Sequence, residues 1–109
     1  MIKVTYLGHS GFLAEVEDMY LLFDYYKGEL PKMDPDKKMA VFVSHSHYDH
    51  YGKDIFRLRD IFQQIRFILS DDIPAQEEED VIFVRPNEHR EILGLDITTL
   101  RSNDEGVAF

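Results

Sequence analysis

Three of the five histidines in this chain fall within six residues, in segment 44–50 with the sequence SHSHYDH. A neutral imidazole ligates a metal through nitrogen and a carboxylate through oxygen, so this set suits zinc, manganese or iron. Residues two apart in extended backbone face the same side, so His45 and His47 can reach one ion. Asp49 and His50 follow the bend and point elsewhere, which suggests a second ion. A solvated, histidine-rich loop is the simpler alternative, but a polar loop has no need of this density directly after an apolar strand.

The element that must position these ligands is the apolar run 39–43, MAVFV. It lacks polar alternation, which predicts a strand covered on both faces of a sheet. After the cluster, Ile55, Leu58, Phe62 and Ile65 recur at helical spacing and predict an amphipathic helix of about four turns. Strand, cluster and helix form one βα unit. Ligand sites of such units lie beyond the carboxyl ends of the strands, which is where the cluster occurs.

Short strands are predicted on both sides of this unit. In the first segment, Ile2, Val4 and Tyr6 alternate with Lys3 and Thr5, which predicts a half-buried strand that ends at Leu7 and Gly8. The first three segments are joined by short turns and should form an antiparallel meander, and the last two should form a hairpin about Gly94. The predicted strand segments are 2–7, 12–17, 19–24, 66–69, 81–84, 88–93 and 95–100, and a further strand begins at 106.

Composition limits the classes of protein to which the chain can belong. With 109 residues it has room for one domain, 1–109, and not for two. The formal charge of −9 argues against a protein that holds nucleic acid by charge. The chain has no cysteine, so any metal must be held by His, Asp, Glu or water. No apolar run approaches the ~20 residues of a membrane span, and we expect a soluble, cytosolic protein without a membrane partner.

The segment HSHYDH at 45–50, after a buried strand, resembles the H-x-H-x-D-H motif of the metallo-β-lactamase superfamily. Segments 6–12, 21–24 and 95–109 resemble the first loop, the second strand pair and the closing hairpin of the same fold. Within the superfamily, the chain is most similar to small cytosolic hydrolases resembling ascorbate-6-phosphate lactonase. The resemblance implies an α/β (α+β) fold, the N-terminal half of an αββα sandwich. Its sheet should be mixed and largely antiparallel, with one main amphipathic helix.

The resemblance also implies a function, a metal-dependent hydrolase that uses a metal-activated water on a small anionic lactone or phosphoester. His45 and His47 would hold the first ion, and Asp49 and His50 the second. Asp49 would also accept a hydrogen bond from the nucleophilic water, as the catalytic carboxylate. The cofactor would be one or two divalent ions, zinc or manganese.

Four residues outside the motif are weighed against the family pattern. Asp24 ends a strand in the supporting position and is expected to receive the N–H of a ligand histidine, or else to cap backbone amides in a turn. His9 would touch substrate or orient a ligand, or else bond only to backbone. The family's next histidine is missing from 100–104, so Asp104 is the candidate replacement ligand unless one ion suffices. His89 lies in a register that does not match the family's.

The remaining ligands of the family come from a second half that this chain does not contain. We therefore expect the 109-residue chain to bind metal weakly, to show little or no catalysis, and to self-associate through uncovered apolar sheet surface. One alternative function is a catalytically inactive metal-binding or interaction module of the same fold. Another is a nuclease of the superfamily, which the negative charge disfavours.

Overall fold

The computed structural model describes residues 2–8, 11–16, 18–25, 30–44, 53–73, 78–101 and 107–108. In this part of the chain, six strands form the main sheet in the order β1-β2-β3-β4-β5-β6, and two pairs of strands form small sheets, β7-β8 and β9-β10. The strands are β1 (Lys3–Gly8), β2 (Gly11–Val16), β3 (Met19–Phe23), β4 (Lys38–Val43), β5 (Ile65–Ser70), β6 (Val81–Val84), β7 (His89–Ile92), β8 (Leu95–Thr98), β9 (Leu100–Arg101) and β10 (Val107–Ala108).

The main sheet is mixed, as predicted. Strands β1, β2 and β3 pair antiparallel and form the expected meander. The prediction of a largely antiparallel sheet understates the parallel pairing. In the described residues, the pairs β3–β4, β4–β5 and β5–β6 are all parallel. The reason is that each connection from β3 onward crosses back to the starting end of the sheet, which a tight hairpin turn cannot do.

Strand β4 is the centre of this sheet, and its residues from Met39 to Val43 are each at most 4% exposed. This confirms that the apolar run is covered on both faces. On one side, here called the helix side, Val41 and Val43 pack with Ile55 and Phe62. On the other, here called the hairpin side, the buried cluster combines residues of β4, β5 and β6 with Ile92 and Ile97 of the β7–β8 hairpin.

The helix after the cluster differs from its prediction in type and length. It is a 3₁₀ helix, Lys53–Asp60, and not an α-helix of four turns. Ile55 and Leu58 are three residues apart, so they lie on the same side of a 3₁₀ helix, and both are buried. Phe62 is buried beyond the helix end, and Ile65 belongs to β5, where it pairs with β4. The spacing correctly identified residues of the core. The fourth of them, Ile65, is nevertheless in a strand, because its backbone pairs with β4 in the sheet.

No helix in the described ranges is long and apolar enough to cross a membrane.

The β7–β8 hairpin turns through Leu93 and Gly94, as the position of the glycine predicts. Both residues have positive φ, 54° and 82°, which a two-residue type I′ turn requires. Glycine adopts this backbone freely, whereas leucine does so at a cost of about 1–2 kcal/mol. The Leu93 side chain packs on the hairpin-side cluster, which offsets part of that cost.

The strand predicted from the alternation of Ile2, Val4 and Tyr6 is present as β1, but these three side chains are not buried. They are 69%, 62% and 71% exposed. The alternation is real, but β1 is the edge strand of the main sheet. The hairpin-side cluster takes its members from β3 to β6 and from the hairpin, so it does not extend to β1.

Arg59 fastens the 3₁₀ helix to the start of β6. Its Nε lies 2.7 Å from Oδ2 of Asp80 and its Nη2 lies 2.8 Å from Oδ1, a two-pronged contact. The guanidinium also lies about 5 Å above the rings of Phe56 and Phe67. Hydrogen bonding to the Arg59 guanidinium, more than its charge, holds the pKa of the Asp80 carboxyl below its ordinary value of 3.8.

We predict that Asp80→Asn lowers the free energy of unfolding by about 1 kcal/mol at pH 7, a value reduced for the partial exposure of the pair. Because the pKa of Asp80 is lower in the folded state, its stabilising effect is complete above the unfolded value and is lost as pH falls through the folded value. The difference between wild type and variant should therefore shrink below about pH 4. Urea unfolding at pH 7, 5 and 3 measures it, with Asp60→Asn as the control at an exposed carboxylate. A difference that does not change with pH would contradict this role.

Candidate metal centre

The carboxyl ends of β3, β4, β5 and β6 meet at one edge of the main sheet, because these strands are mutually parallel. We call this the carboxyl edge and define it by the residues that follow or end these strands, Asp24, Ser44, Asp71 and Arg85. The segment HSHYDH begins directly after Ser44. Its attachment point is therefore at the edge where ligand sites of parallel sheets occur.

Ser44 is held at this edge by the carboxylate of Asp24. Its backbone N–H donates to Oδ1 of Asp24 at 2.8 Å. Its hydroxyl donates to both carboxylate oxygens, at 3.0 and 2.9 Å. Ser44 is 7% exposed, so its N–H has little access to water and depends on this acceptor. The carboxylate thus continues the β3–β4 ladder by one more residue after the β3 backbone has turned away.

The turn of the backbone at Asp24 makes this contact possible. Its φ is 48°, in the left-handed region that aspartate and asparagine tolerate better than most residues. Its N–H still donates to the carbonyl of Phe42 at 2.8 Å. The neighbouring strand accommodates the turn through Gly11, where a Cβ atom would lie 3.0 Å from the Asp24 carbonyl oxygen. Asp24, Ser44 and Gly11 therefore form one close-packed corner.

Most of the residues predicted for the site lie outside the described part of the chain, and their roles remain predictions. They are His9, His45, His47, Asp49, His50 and Asp104. Gly8 and Gly11, the described residues that flank His9, pair with each other at the end of β1 that adjoins this corner. Among the residues that are described, no three His, Asp or Glu side chains gather closely enough to hold a metal ion.

Two predicted residues can be located. Asp24 caps the amide and hydroxyl of Ser44, which agrees with its interpretation as a turn aspartate that receives backbone N–H groups. Its support of a ligand histidine remains a prediction. His89 lies exposed on β7, with Nδ1 3.0 Å from Oγ1 of Thr98 and Nε2 3.7 Å from Asp96. These contacts belong to the hairpin.

Sequence reasoning did not single out the serines at the carboxyl edge. Ser70, the last residue of β5, is fully buried, and its hydroxyl donates to the carboxylate of Asp72. It parallels Ser44, which is held by Asp24. The sequence signal for both serines is a position at the end of an apolar strand. Ser70 is followed in the sequence by two aspartates, and Ser44 bonds to the aspartate at the end of the neighbouring strand. The described carboxyl edge carries the carboxylates of Asp24 and Asp71 and the exposed guanidinium of Arg85, so negative charge exceeds positive charge there. The edge is therefore better suited to a bound cation than to an unaccompanied anion.

Comparison with known proteins gives a family match over almost the whole chain. The model of the family described as "Beta-lactamase superfamily domain" matches residues 3–107. Among curated proteins, a UPF0173 metal-dependent hydrolase of Opitutus terrae is 46% identical over 55 residues, which are 47% of this chain and 24% of that protein. A protein of the same description from Carboxydothermus hydrogenoformans is 44% identical over 55 residues, with the same coverage.

A solved structure is similar in fold. It is a metallo hydrolase from the hyperthermophilic archaeon Ignicoccus hospitalis, with a TM-score of 0.68 and 23% identity. The match covers 97% of this chain and 52% of that chain. The chain therefore spans about half of the solved neighbour, and its matched segments span about a quarter of these curated relatives. The likeness supports the predicted sandwich-type α/β fold.

We predict that Asp24→Ala lowers the free energy of unfolding by about 3 kcal/mol, because it strands the buried N–H of Ser44 and places alanine at positive φ. Asp24→Asn should cost only about 1 kcal/mol, since asparagine keeps an acceptor oxygen and tolerates this backbone. Urea unfolding at pH 7 gives both values, and Asp18→Ala provides a control at an exposed aspartate. Equal losses for the alanine and asparagine variants would contradict the account of this corner.

Proposed function

The chain belongs to the beta-lactamase superfamily, and we propose that it supplies the principal metal ligands of a metal-dependent hydrolase. The observation that carries the proposal is the Asp24–Ser44 contact. It fixes the residue before HSHYDH at the carboxyl edge of a sheet of the matching fold. The description of the curated relatives as metal-dependent hydrolases supports the same activity.

The donor set fits a divalent cation by its chemistry. It contains three imidazoles and a carboxylate within six residues, and the chain has no thiolate to compete. We assign His45 and His47 to one cation, and Asp49 and His50 to a second. Zinc and manganese are among the cations that accept nitrogen and oxygen ligands in this proportion. If Asp104 takes the place of a histidine ligand, the added oxygen shifts the preference towards manganese.

The residues of this chain divide the work of hydrolysis. When bound, a divalent cation supplies a water whose pKa is lowered towards neutrality. Asp49 accepts a hydrogen bond from that water and so directs it. Asp24, acting through Ser44, is a positioning residue for the start of the ligand segment. His9, which lies between Gly8 and Gly11 in the sequence, contacts substrate or orients a ligand. The substrate class that we assign, from the resemblance to small cytosolic hydrolases, is a small anionic lactone or phosphoester.

We predict that the purified 109-residue chain binds zinc or manganese, and that His45→Ala/His47→Ala weakens binding by tenfold or more. Isothermal titration with each metal measures the affinity. His89→Ala is the matched control, since its imidazole bonds to Thr98 in the hairpin, and it should bind as the wild type does. Equal loss in the control and in the double variant would show that the HSHYDH segment is not the binding site.

A second measurement concerns Asp24. Asp24→Ala should weaken metal binding by roughly 10- to 100-fold, as removal of supporting residues does in other metal sites, and Asp24→Asn, which keeps an acceptor for the Ser44 N–H, should weaken it less. Circular dichroism at the same temperature checks that each variant is folded. Unchanged affinity in a folded Asp24→Ala variant would exclude the positioning role, while leaving His45 and His47 as ligands.

Catalysis is tested on a panel of lactones and phosphate esters with either metal present. We expect little turnover by this chain alone, because it spans about half of the solved neighbour. Any turnover that the chain shows should be abolished by His45→Ala/His47→Ala. Full turnover by the 109-residue chain would contradict the expectation that further residues are needed.

A further inference from the structure

The hairpin side of the main sheet has an exposed apolar end at β1 and β2. Ile2, Val4 and Tyr6 are 62–71% exposed, and Phe12 is 38% exposed. Tyr6 pairs directly with Phe12, and alternation places Ile2 and Val4 on the same side. We call these four side chains the open face. Contiguous apolar surface of this kind on a monomer is commonly an interaction site.

One member of the open face, Phe12, is held in place by a row of aromatic rings. Phe12 stacks on Phe23 with ring centres 4.8 Å apart, and Phe23 stacks on Phe42 at the same distance. These residues are also cross-strand neighbours, so the row runs from Phe12 on β2 into the buried centre of the sheet. A side chain fixed in this way loses little conformational entropy when a partner covers it.

The open face also lacks charge. On this side of the sheet, the described positions of β1, β2 and β3 are all uncharged, although the chain carries −9. The other side of the same strands differs, since Lys3 and Glu15 pair there. A basic or acidic partner would find no opposite charge on the open face. A flat, uncharged, apolar partner fits it, and another open face has these properties.

A groove adjoins the open face at Phe23. It has a volume of about 220 Å³ and lies between the sheet and the hairpin. Its apolar walls include Leu21, Phe42, Leu95 and Ile97. An apolar side chain of a partner that covered the open face would enter this groove, which extends the contact area beyond β1 and β2.

We propose that the open face binds a second copy of this chain, sheet against sheet, about a two-fold axis. Large side chains bury about 150–250 Å² each, so the exposed fractions give roughly 500 Å² per copy. A standard interface buries about 800 Å² per partner, and half-buried Leu21 and Phe23 with the groove supply part of the rest. The dimer is therefore concentration-dependent and weak. Because the same patch meets itself, its contacts occur twice and the assembly closes.

Sedimentation velocity of the 109-residue chain without metal, from 1 to 500 µM, tests the proposal. We expect the apparent mass to rise from 12.8 kDa towards twice that value. Val4→Lys should shift the midpoint at least tenfold to higher concentration. Gln63→Lys adds the same charge at an exposed position beyond the 3₁₀ helix and should not shift it. A mass of 12.8 kDa at every concentration, or equal behaviour of the two variants, overturns the proposal.

Single cysteines give a second readout, because a disulfide traps even a weakly populated dimer. The native chain has no cysteine, so Val4→Cys and Gln63→Cys each carry one thiol. Under mild oxidation at 100 µM, Val4→Cys should form a disulfide-linked dimer at least tenfold faster than Gln63→Cys. Equal rates would show random collision and refute a face-to-face contact at β1. Both experiments omit metal, so their outcome is separate from that of the proposed hydrolase function.

Discussion

The burial of β4 on both sides is the constraint on which the rest of this structure depends. A strand with no access to water must pair all its backbone groups inside the sheet, and its side chains must be covered from above and below. Parallel neighbours on both edges meet the first requirement. The 3₁₀ helix and the β7–β8 hairpin meet the second. At the carboxyl end, where the ladder stops, Asp24 supplies the next acceptor and Ser44 becomes a fixed point.

Different elements cover the two sides of the sheet, and they cover different parts of it. On the helix side, Arg59 joins the 3₁₀ helix to Asp80 and lies over two aromatic rings, so a charged contact and an apolar cluster support each other. On the hairpin side, coverage stops at β3, and a row of stacked rings continues to the exposed Phe12 on β2. Ser44, which precedes the predicted ligand segment, lies at the end of the strands, between these two surfaces. The start of that segment is therefore supported from both sides.

Much of the fold could be predicted from local sequence patterns. The unbroken apolar run at 39–43 identified the central strand, and Gly94 identified the hairpin turn. The prediction of a four-turn helix was wrong because Ile65 continues the apolar spacing but belongs to β5, where it pairs with β4. The alternation of Ile2, Val4 and Tyr6 shows that one face of the strand is apolar. It does not show whether another element covers that face, and these three side chains are exposed.

For the candidate site, the sequence predicts ligand types, which stay predictions, and it does not reveal the contacts that support them. Three histidines and an aspartate in six residues are visible in any reading of the chain. The bond from Ser44 to Asp24 joins residues from two strands and depends on a positive φ, so no local pattern reveals it. The same is true of Gly11, whose importance comes from the close approach of another strand.

Because the main sheet contains both antiparallel and parallel pairs, the entropy cost of forming a pair differs from one pair of strands to another. In the meander, Leu13 pairs with Leu22 after a short connection. In the parallel half, Phe42 pairs with Ile68 across the whole ligand segment and the 3₁₀ helix. Loop closure costs more as the connection lengthens, though only logarithmically. The long stretch of chain that carries the candidate ligands is therefore enclosed by a sheet pairing that costs more entropy to form than any in the meander.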